Sequence, residues 1–187
     1  ILASMLPEYL ATGKANEKMR SVTFTFKERA ILIPLELCIL WKALFALTIL
    51  FFVVSGISPE VYSIGAAAKR GMDLLLATLT AIMTGAVITP LLLPWIPFRQ
   101  FWLKGLVMGS LGAGVFMVFG PQLSGVLESI AIALWIGCCS SYLAMNFTGS
   151  TPFTSLSGVE KEMRKGLLFQ IVSAALVLLF WVSGPFV

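Results

Sequence analysis

The sequence predicts an all-α integral membrane protein with five transmembrane helices. The chain has 187 residues, of which 58% are hydrophobic and only 12% are charged, whereas soluble domains carry about 25% charged residues. With a mean hydropathy of +0.95, a soluble domain of this length could not bury its apolar surface. Helices are expected because lipid offers no water to satisfy backbone groups. The lipid bilayer is therefore the first expected partner.

Five apolar runs approach the roughly 20 residues that a spanning helix needs. In order, they cover residues 31–54, 72–96, 101–119, 126–145 and 166–182. Pro34 is expected to bend or start the first helix, and Pro90 and Pro94 to kink or end the second. Gly105 and Gly109 in the third run have the spacing of small residues that lets helices pack closely or dimerise.

The basic residues predict which side of the membrane each connection faces. Ten of the 13 Lys and Arg residues lie in the connections of one side: Lys14, Lys18, Arg20, Lys27, Arg29, Arg99, Lys104, Lys161, Arg164 and Lys165. The opposite side has Lys69 and Arg70, and Lys42 lies within the first span. Because cytoplasmic loops collect Lys and Arg, the N-terminus is expected in the cytoplasm and the C-terminus outside. The expected location is the cell (inner or cytoplasmic) membrane.

A few polar and aromatic residues within the spans need an explanation. Lys42 is either a functional intramembrane charge or a long side chain that reaches to the inner interface. Asp73 and Glu128 are expected near the N-termini of the second and fourth helices, where acids suit the helix dipole. Three tryptophans are expected to anchor the helices at the interfaces: Trp95, Trp102 and Trp181.

Two cytoplasmic segments hold most of the polar sequence outside the spans. Residues 1–29 form a short N-terminal segment with one possible strand, because SVTFTF places Val22, Phe24 and Phe26 on one face. Residues 146–166 form a Ser/Thr-rich loop. Its candidate cofactor- or partner-facing residues are Asn146, Thr148, Gly149, Ser150, Thr151, Thr154, Ser155 and Ser157.

The end of this loop carries a helix-start signal. Ser157 and Glu160 match a capping box, which predicts that the fifth helix starts at Gly158, ahead of the membrane. Glu160 and Arg164 are then spaced for an i,i+4 ion pair. Such a surface could bind an anionic or amide-bearing ligand, or dock another domain. Alternatively, the hydroxyls satisfy one another in local turns.

The reactive residues exclude several kinds of site. The chain has no His, which excludes a Ser-His-Asp triad and His-ligated metals. Cys38, Cys138 and Cys139 lie in apolar segments and lack CxxC spacing, which disfavours a zinc site. They are candidate ligands for a soft metal such as Hg(II), or they pack as small buried residues. Adjacent helical residues point about 100° apart, so a chelate requires Cys38.

Two stretches resemble one known protein family. MNFTGSTPFTSLSGVEKEMR, at 145–164, resembles the signature in the C-terminal membrane domain of the mercury-methylating corrinoid proteins. These are relatives of the corrinoid iron–sulphur protein large subunit of acetyl-CoA synthesis. NEKMRSVTFTFKERAILIPLEL, at 16–37, resembles that family's junction between its corrinoid domain and its first transmembrane helix.

The resemblance implies a division of labour. In that family a soluble Rossmann-like domain holds a cobalt corrinoid and transfers a methyl group to Hg(II), and a ferredoxin-like iron–sulphur protein reduces the cobalt. This sequence lacks the corrinoid domain and its cap-helix motif Asn-Val-Trp-Cys-Ala-Ala-Gly-Lys, so the chain alone is not expected to be catalytic. We expect residues 1–29 to link to an upstream corrinoid domain, and residues 30–187 to form the membrane domain of a longer anaerobic methyltransferase.

The sequence is also compatible with two other functions. One is the membrane anchor of a related corrinoid protein of one-carbon and acetyl-CoA metabolism, without mercury chemistry. The other is a small transporter of a metal or thiol complex, which the lack of His and of a row of intramembrane acids disfavours. No nucleic-acid partner is expected.

Overall fold

The computed structural model describes residues 5–20, 25–150 and 156–187, and these are mostly helical. The short helices α1 (Leu6–Thr12) and α2 (Glu17–Arg20) precede the long helix α3 (Phe26–Ser55). The antiparallel hairpin of β1 (Ile57–Ser58) and β2 (Val61–Tyr62) leads to α4 (Ile64–Ile82), which continues through a π-helical turn (Met83–Ile88) into α5 (Thr89–Leu91). Three long helices follow, α6 (Phe101–Phe119), α7 (Val126–Ser150) and α8 (Leu156–Ser183), and then a 3-10 turn (Gly184–Phe186).

Four helical segments of the described chain are long and apolar enough to cross a bilayer. They are Ile64–Leu91, Phe101–Phe119, Val126–Thr148 and Ser157–Phe186. The chain is therefore a multi-pass membrane protein that contacts lipid. The helix at the first predicted span, α3, is apolar over Trp41–Ser55, a shorter stretch than the other four. Lys42 on α3 is exposed rather than enclosed by the bundle, with its ammonium 6.0 Å from the Trp41 ring centroid.

The predicted N-terminal strand is wrong at its last residue, because Phe26 begins α3. Thr25 is the N-cap, and its hydroxyl accepts from the Glu28 N–H at 3.5 Å. The Glu28 carboxylate accepts from the Thr25 N–H at 2.6 Å, which completes a capping box. This reciprocal pair favours helix over the strand alternation. Val22 and Phe24 lie outside the described residues, and the boundary predicted after residue 29 falls inside α3.

Prolines shape two helices in different ways. Pro34 lies inside α3 and does not start it. Pro90 follows the π-helical turn, in which the Thr89 N–H bonds to the Thr84 carbonyl five residues back. A proline ring clashes with the carbonyl four residues before it and removes a donor, so the wider turn accommodates Pro90. The helix then ends at Leu91, before Pro94, which confirms that the second span ends at this proline pair.

The second span starts earlier than the predicted residue, Met72. Helix α4 begins at Ile64, where the Ser63 hydroxyl caps it by accepting a backbone N–H at 3.3 Å. Asp73 therefore lies more than two turns inside α4, and its predicted place near a helix N-terminus is wrong. Glu128 does lie in the first turn of α7, as predicted.

The predicted loop 146–166 is largely helical. Helix α7 continues past residue 145 to Ser150, and α8 begins at Leu156, before the predicted start at Gly158. Ser157 therefore lies in the first turn of α8, and residues 151–155 lie outside the described residues. The cause is burial, because Phe147 and Thr148 are each only 1% exposed and extend the packed face of α7. Tertiary packing here overrides the weak helix propensity of Thr, Gly and Ser.

Small residues bring α6 against α7, as the glycine spacing predicts. A Cβ added at Gly105 would lie 2.5 Å from the Ser140 carbonyl oxygen, and one at Gly109 would lie 2.7 Å from the Ser140 Cβ. A Cβ on Gly85 of the π-helical turn would lie 2.6 Å from the Ser140 Cα. The Ser140 hydroxyl donates to the Gly105 carbonyl at 2.8 Å. Ser140 thus lies where α6, α7 and the π-helical turn meet.

The core centres on α7, which packs against α4, α6 and α8. Ala131, Ile132 and Ile136 of α7 are fully buried in it. Trp181 of α8 is also buried, at 1% exposure, so its predicted role as an interfacial anchor is wrong. Trp95 is 71% exposed, which fits that role.

Replacing Gly105 by Ala is expected to destabilise the bundle. The added methyl would meet the Ser140 backbone, which cannot move aside, so we expect a loss of about 1–3 kcal/mol in unfolding free energy. Gly114→Ala on the same helix is the matched control, because a Cβ there meets nothing within 4 Å. Denaturant titration in detergent micelles, followed by Trp fluorescence, measures both. Equal stability of the two variants would contradict the close α6–α7 packing.

Candidate functional site

The predicted cofactor- or partner-facing residues occupy the end of α7 and the start of α8. Asn146, Thr148, Gly149 and Ser150 are the helical residues at the end of α7, and Ser157 is in the first turn of α8. Thr151, Thr154 and Ser155 lie outside the described residues. The structure therefore does not present the described members as an open hydroxyl-rich loop. Thr148 in particular is enclosed, whereas Asn146 is half-buried.

Glu162 of α8 contacts both the start of α6 and the end of α7. It is 7% exposed, and its carboxylate accepts from the Trp102 N–H at 2.9 Å and also from the Phe101 N–H. These are first-turn N–H groups of α6, which have no partner within their own helix. The N-cap residue Gln100 makes no side-chain cap bond, so Glu162 caps α6 from a neighbouring helix. The negative charge also suits the positive end of the α6 dipole.

Thr148 takes part in the same cluster. Its hydroxyl hydrogen-bonds to the Glu162 carboxylate. One carboxylate thereby ties the end of α7 and the start of α6 to α8. Of the two interpretations of the loop hydroxyls, Thr148 fits better the one in which they bond to the protein itself, because its partner is Glu162.

Two cations complete the same end of the bundle by binding free carbonyl groups. Arg29 of α3 is 7% exposed and donates to the Leu91 carbonyl at 3.0 Å. Lys104 of α6 donates to the Leu93 carbonyl at 2.6 Å. Carbonyls at the C-terminal end of a helix lack internal partners, and cations there also suit the negative end of the dipole. These contacts place the start of α3, the end of α5 and the start of α6 together.

The first three turns of α8 expose a basic surface at this end. Lys161, Arg164 and Lys165 are all exposed, and only Arg164 has a close acidic partner in the described chain, Glu160 at 3.4 Å. This confirms the predicted i,i+4 pair. Both of its side chains are more than 70% exposed, and exposed pairs contribute at most about 1 kcal/mol. The surface thus remains cationic and open to an anionic partner.

The opposite end holds a buried ion pair that the sequence reading missed. Arg70 Nε lies 2.7 Å from Glu128 Oε1, with the side chains 8% and 6% exposed. The guanidinium also donates to the backbone carbonyls of Ser55, at 3.0 Å, and Trp181. Its carbon lies 4.5 Å from the Trp181 ring centroid, a cation–π distance. Trp181 Nε1 donates in turn to the Ser55 hydroxyl at 3.0 Å.

This cluster joins the ends of α3 and α8 to the starts of α4 and α7. It was missed because the predicted second span began after Arg70, which placed the guanidinium in a connecting loop. The useful signal was Ser63, a good N-cap residue that starts the helix early enough to include Arg70. A single Arg and a single Glu then remain at the same end of neighbouring helices. Nothing in the sequence spacing alone shows that they meet.

The cysteines lie in different environments. Cys38 on α3 is exposed, Cys138 is buried and Cys139 is half-buried, and all three are free thiols. The Cys138 thiol donates to the Gln170 carbonyl of α8 at 3.4 Å. Within the described residues no group of three or more His, Cys, Asp or Glu side chains could hold a metal ion. Soft-metal binding by these thiols stays a prediction.

No family model, curated protein or solved structure matches the chain. Its function has to be inferred from its own residues and contacts. These single out the basic end, with Glu162 inside it and the α8 surface outside it, as the candidate site for a partner.

Glu162→Ala is expected to loosen the basic end. The change leaves first-turn N–H groups of α6 without an acceptor, which costs about 1–3 kcal/mol for buried groups. Amide hydrogen exchange at Phe101 and Trp102 should accelerate, and thermal stability in micelles should fall. Glu160→Ala, two residues away in the exposed pair, should change neither quantity. Unchanged exchange at Trp102 in Glu162→Ala would refute the cap.

Arg70→Met is expected to lower the unfolding free energy by about 3–5 kcal/mol, because Glu128 would lose its buried partner. The double variant Arg70→Met, Glu128→Leu should recover much of this loss, since apolar groups can replace a buried pair. Lys69→Met, at the exposed neighbouring position, is the control and should stay within about 0.5 kcal/mol of the parent. Chemical unfolding in micelles measures all three. A double variant as unstable as the single one would show that the pair is not coupled.

Proposed function

We propose that this chain is the membrane domain that anchors a corrinoid-dependent methyltransferase, which methylates Hg(II). The observation that carries the proposal is the resemblance of residues 16–37 and 145–164 to two separate parts of one family. The corrinoid belongs to a soluble domain joined upstream of residue 1, and no residue of this chain is proposed as a cobalt ligand. A ferredoxin-like iron–sulphur protein is the proposed reductant.

The arrangement of the helices supports this assignment. Residues 16–37 include the start of α3, and residues 145–164 include the end of α7 and the start of α8. These two stretches are far apart in the sequence but reach the same end of the bundle through the contacts of Arg29, Lys104 and Glu162. A head that enters through residues 1–29 would therefore lie beside the exposed cations of α8.

The proposed topology has five spans, with α3 as the first. At 1.5 Å per residue, its 30 residues extend about 45 Å, which exceeds the roughly 30 Å of hydrocarbon. Its N-terminal turns would then stand in the cytoplasm with the basic end, and the Arg70 cluster would lie near the outer face. The excess of Lys and Arg at one end supports this orientation in the cytoplasmic membrane.

The proposed head-facing surface is testable by charge reversal in the full-length protein. Lys161→Glu, Arg164→Glu and Lys165→Glu together should lower methylmercury formation by anaerobic cells roughly tenfold, because charge complementarity sets the rate of partner association. Methylmercury produced from added Hg(II) is the measurement. Lys69→Glu, an exposed cation at the opposite end, should leave the rate unchanged.

Two further results complete this test. Equal membrane levels of all variants, measured by immunoblot, separate a docking defect from failed insertion. Deletion of the gene should abolish methylmercury formation. A deletion that instead slows acetyl-CoA synthesis and leaves methylmercury formation intact would replace the proposal by an anchor of one-carbon metabolism. Full activity in the triple reversal would remove the α8 surface from the docking site.

A further inference from the structure

The loop between α5 and α6, residues 92–100, carries exposed aromatic and cationic side chains at the basic end of the bundle. Trp95 and Phe98 are 71% and 42% exposed, and Arg99 is also exposed. The loop contains no Asp or Glu. Aromatic rings together with Lys or Arg are the combination that proteins present to the membrane–water interface. The composition of the loop therefore indicates contact with lipid headgroups.

The length of the helical segment before the loop places it at the same level of the membrane. Ile64–Leu91 has 28 residues, which extend about 42 Å at 1.5 Å per residue. A bilayer is roughly 30 Å thick across its hydrocarbon core and about 40–45 Å thick with its headgroups. The next apolar helix, α6, starts at Phe101. Residues 92–100 therefore connect two spans within the headgroup layer.

The backbone at both edges of the loop is already bound by the protein. Arg29 donates to the Leu91 carbonyl at 3.0 Å, and Lys104 donates to the Leu93 carbonyl at 2.6 Å. At the other edge, the Glu162 carboxylate accepts from a first-turn N–H of α6. These contacts hold the loop in place. They also leave recognition of any ligand to the exposed side chains of the loop.

Arg99 is the cation of the loop that is available to a ligand. Among the described residues it has no acidic partner within 4 Å. A guanidinium matches a phosphate group, to which it can donate two parallel hydrogen bonds. The start of α3 adds charge of the same sign at this end, because Lys27 is exposed while Glu28 is engaged in its capping box. The charge of the surface therefore favours an anion.

We infer that residues 95–99 form a binding surface for the headgroups of anionic phospholipids. Arg99 binds the lipid phosphate, and Trp95 and Phe98 contact the glycerol and the adjoining acyl carbons. A zwitterionic phospholipid offers the same phosphate but brings a second cation close to Arg99, and free phosphate lacks the apolar part that the rings contact. This surface is separate from the proposed head-facing surface on α8 and does not depend on the proposed function.

Photolabelling with two lipid probes tests this inference. The full chain is placed in phosphatidylcholine vesicles that contain a phosphatidylglycerol or a phosphatidylcholine probe, each with the same diazirine close to the glycerol. Mass spectrometry then identifies the labelled residues. Labelling within residues 92–100 should be about fivefold higher with the phosphatidylglycerol probe, which is the effect of one Arg near an anionic surface. Unlabelled phosphatidylglycerol should compete, whereas inorganic phosphate at the same concentration should not.

Arg99→Gln should remove most of the difference between the two probes, because it removes the cation and keeps a polar side chain. Lys161→Gln, which removes one exposed charge from α8 at the same end, is the matched control and should keep the difference.

Three results would overturn the inference. The first is equal labelling of the parent by the two probes, and the second is competition by inorganic phosphate as strong as that by phosphatidylglycerol. The third is an Arg99→Gln variant that keeps the difference or loses no more of it than Lys161→Gln, which would show only a diffuse attraction to the basic end. The parent comparison needs no variant, so the test does not rely on the folding of Arg99→Gln.

Discussion

The close approach of α6 to α7 is the contact on which the other helix positions depend. Lipid is as apolar as leucine, so no hydrophobic force drives helices together inside a bilayer, and association relies on close packing and interhelical hydrogen bonds. Gly105 and Gly109 allow the Ser140 backbone to approach, and the Ser140 hydroxyl adds a hydrogen bond of 2.8 Å to the Gly105 carbonyl. Because α7 also contacts α4 and α8, this contact holds the centre of the bundle.

A second constraint acts at the helix ends, where backbone groups lack partners within their own helix. This chain satisfies several of them with charged side chains from neighbouring helices: Glu162 at the start of α6, Arg29 at the end of α5 and Arg70 at the end of α3. The charges thereby do two things, since they complete the hydrogen bonds of one helix and connect it to another. A buried ion pair alone is a weak source of stability. The extra carbonyl contacts of Arg70 are what make its burial acceptable.

The two ends of the bundle differ in a way that bears on function. At the Arg70 end, Arg70 and Glu128 are buried and bind each other, and Arg70 also binds backbone carbonyls, while the neighbouring Lys69 is a single exposed cation. At the basic end Glu162 is enclosed, but the α8 cations next to it remain exposed. The proposed anchoring function requires a stable interior and an accessible surface on the side of the proposed soluble domain, and the basic end combines both.

The sequence by itself determined the membrane class, four of the five predicted spans, the close packing at the third-span glycines and the Glu160–Arg164 pair, because these follow from local composition and spacing. It did not determine the ends of the helices near residues 64, 150 and 156. Burial of Phe147 and Thr148 extends α7 through residues with weak helix propensity. The sequence pattern around these residues does not predict that they are buried. Likewise, the contacts of Arg70 with Glu128 and of Glu162 with Trp102 each join residues from separate helices. Only the tertiary structure decided these features. They arise where helix packing removes polar groups from solvent, so that their hydrogen-bond partners come from residues distant in the sequence.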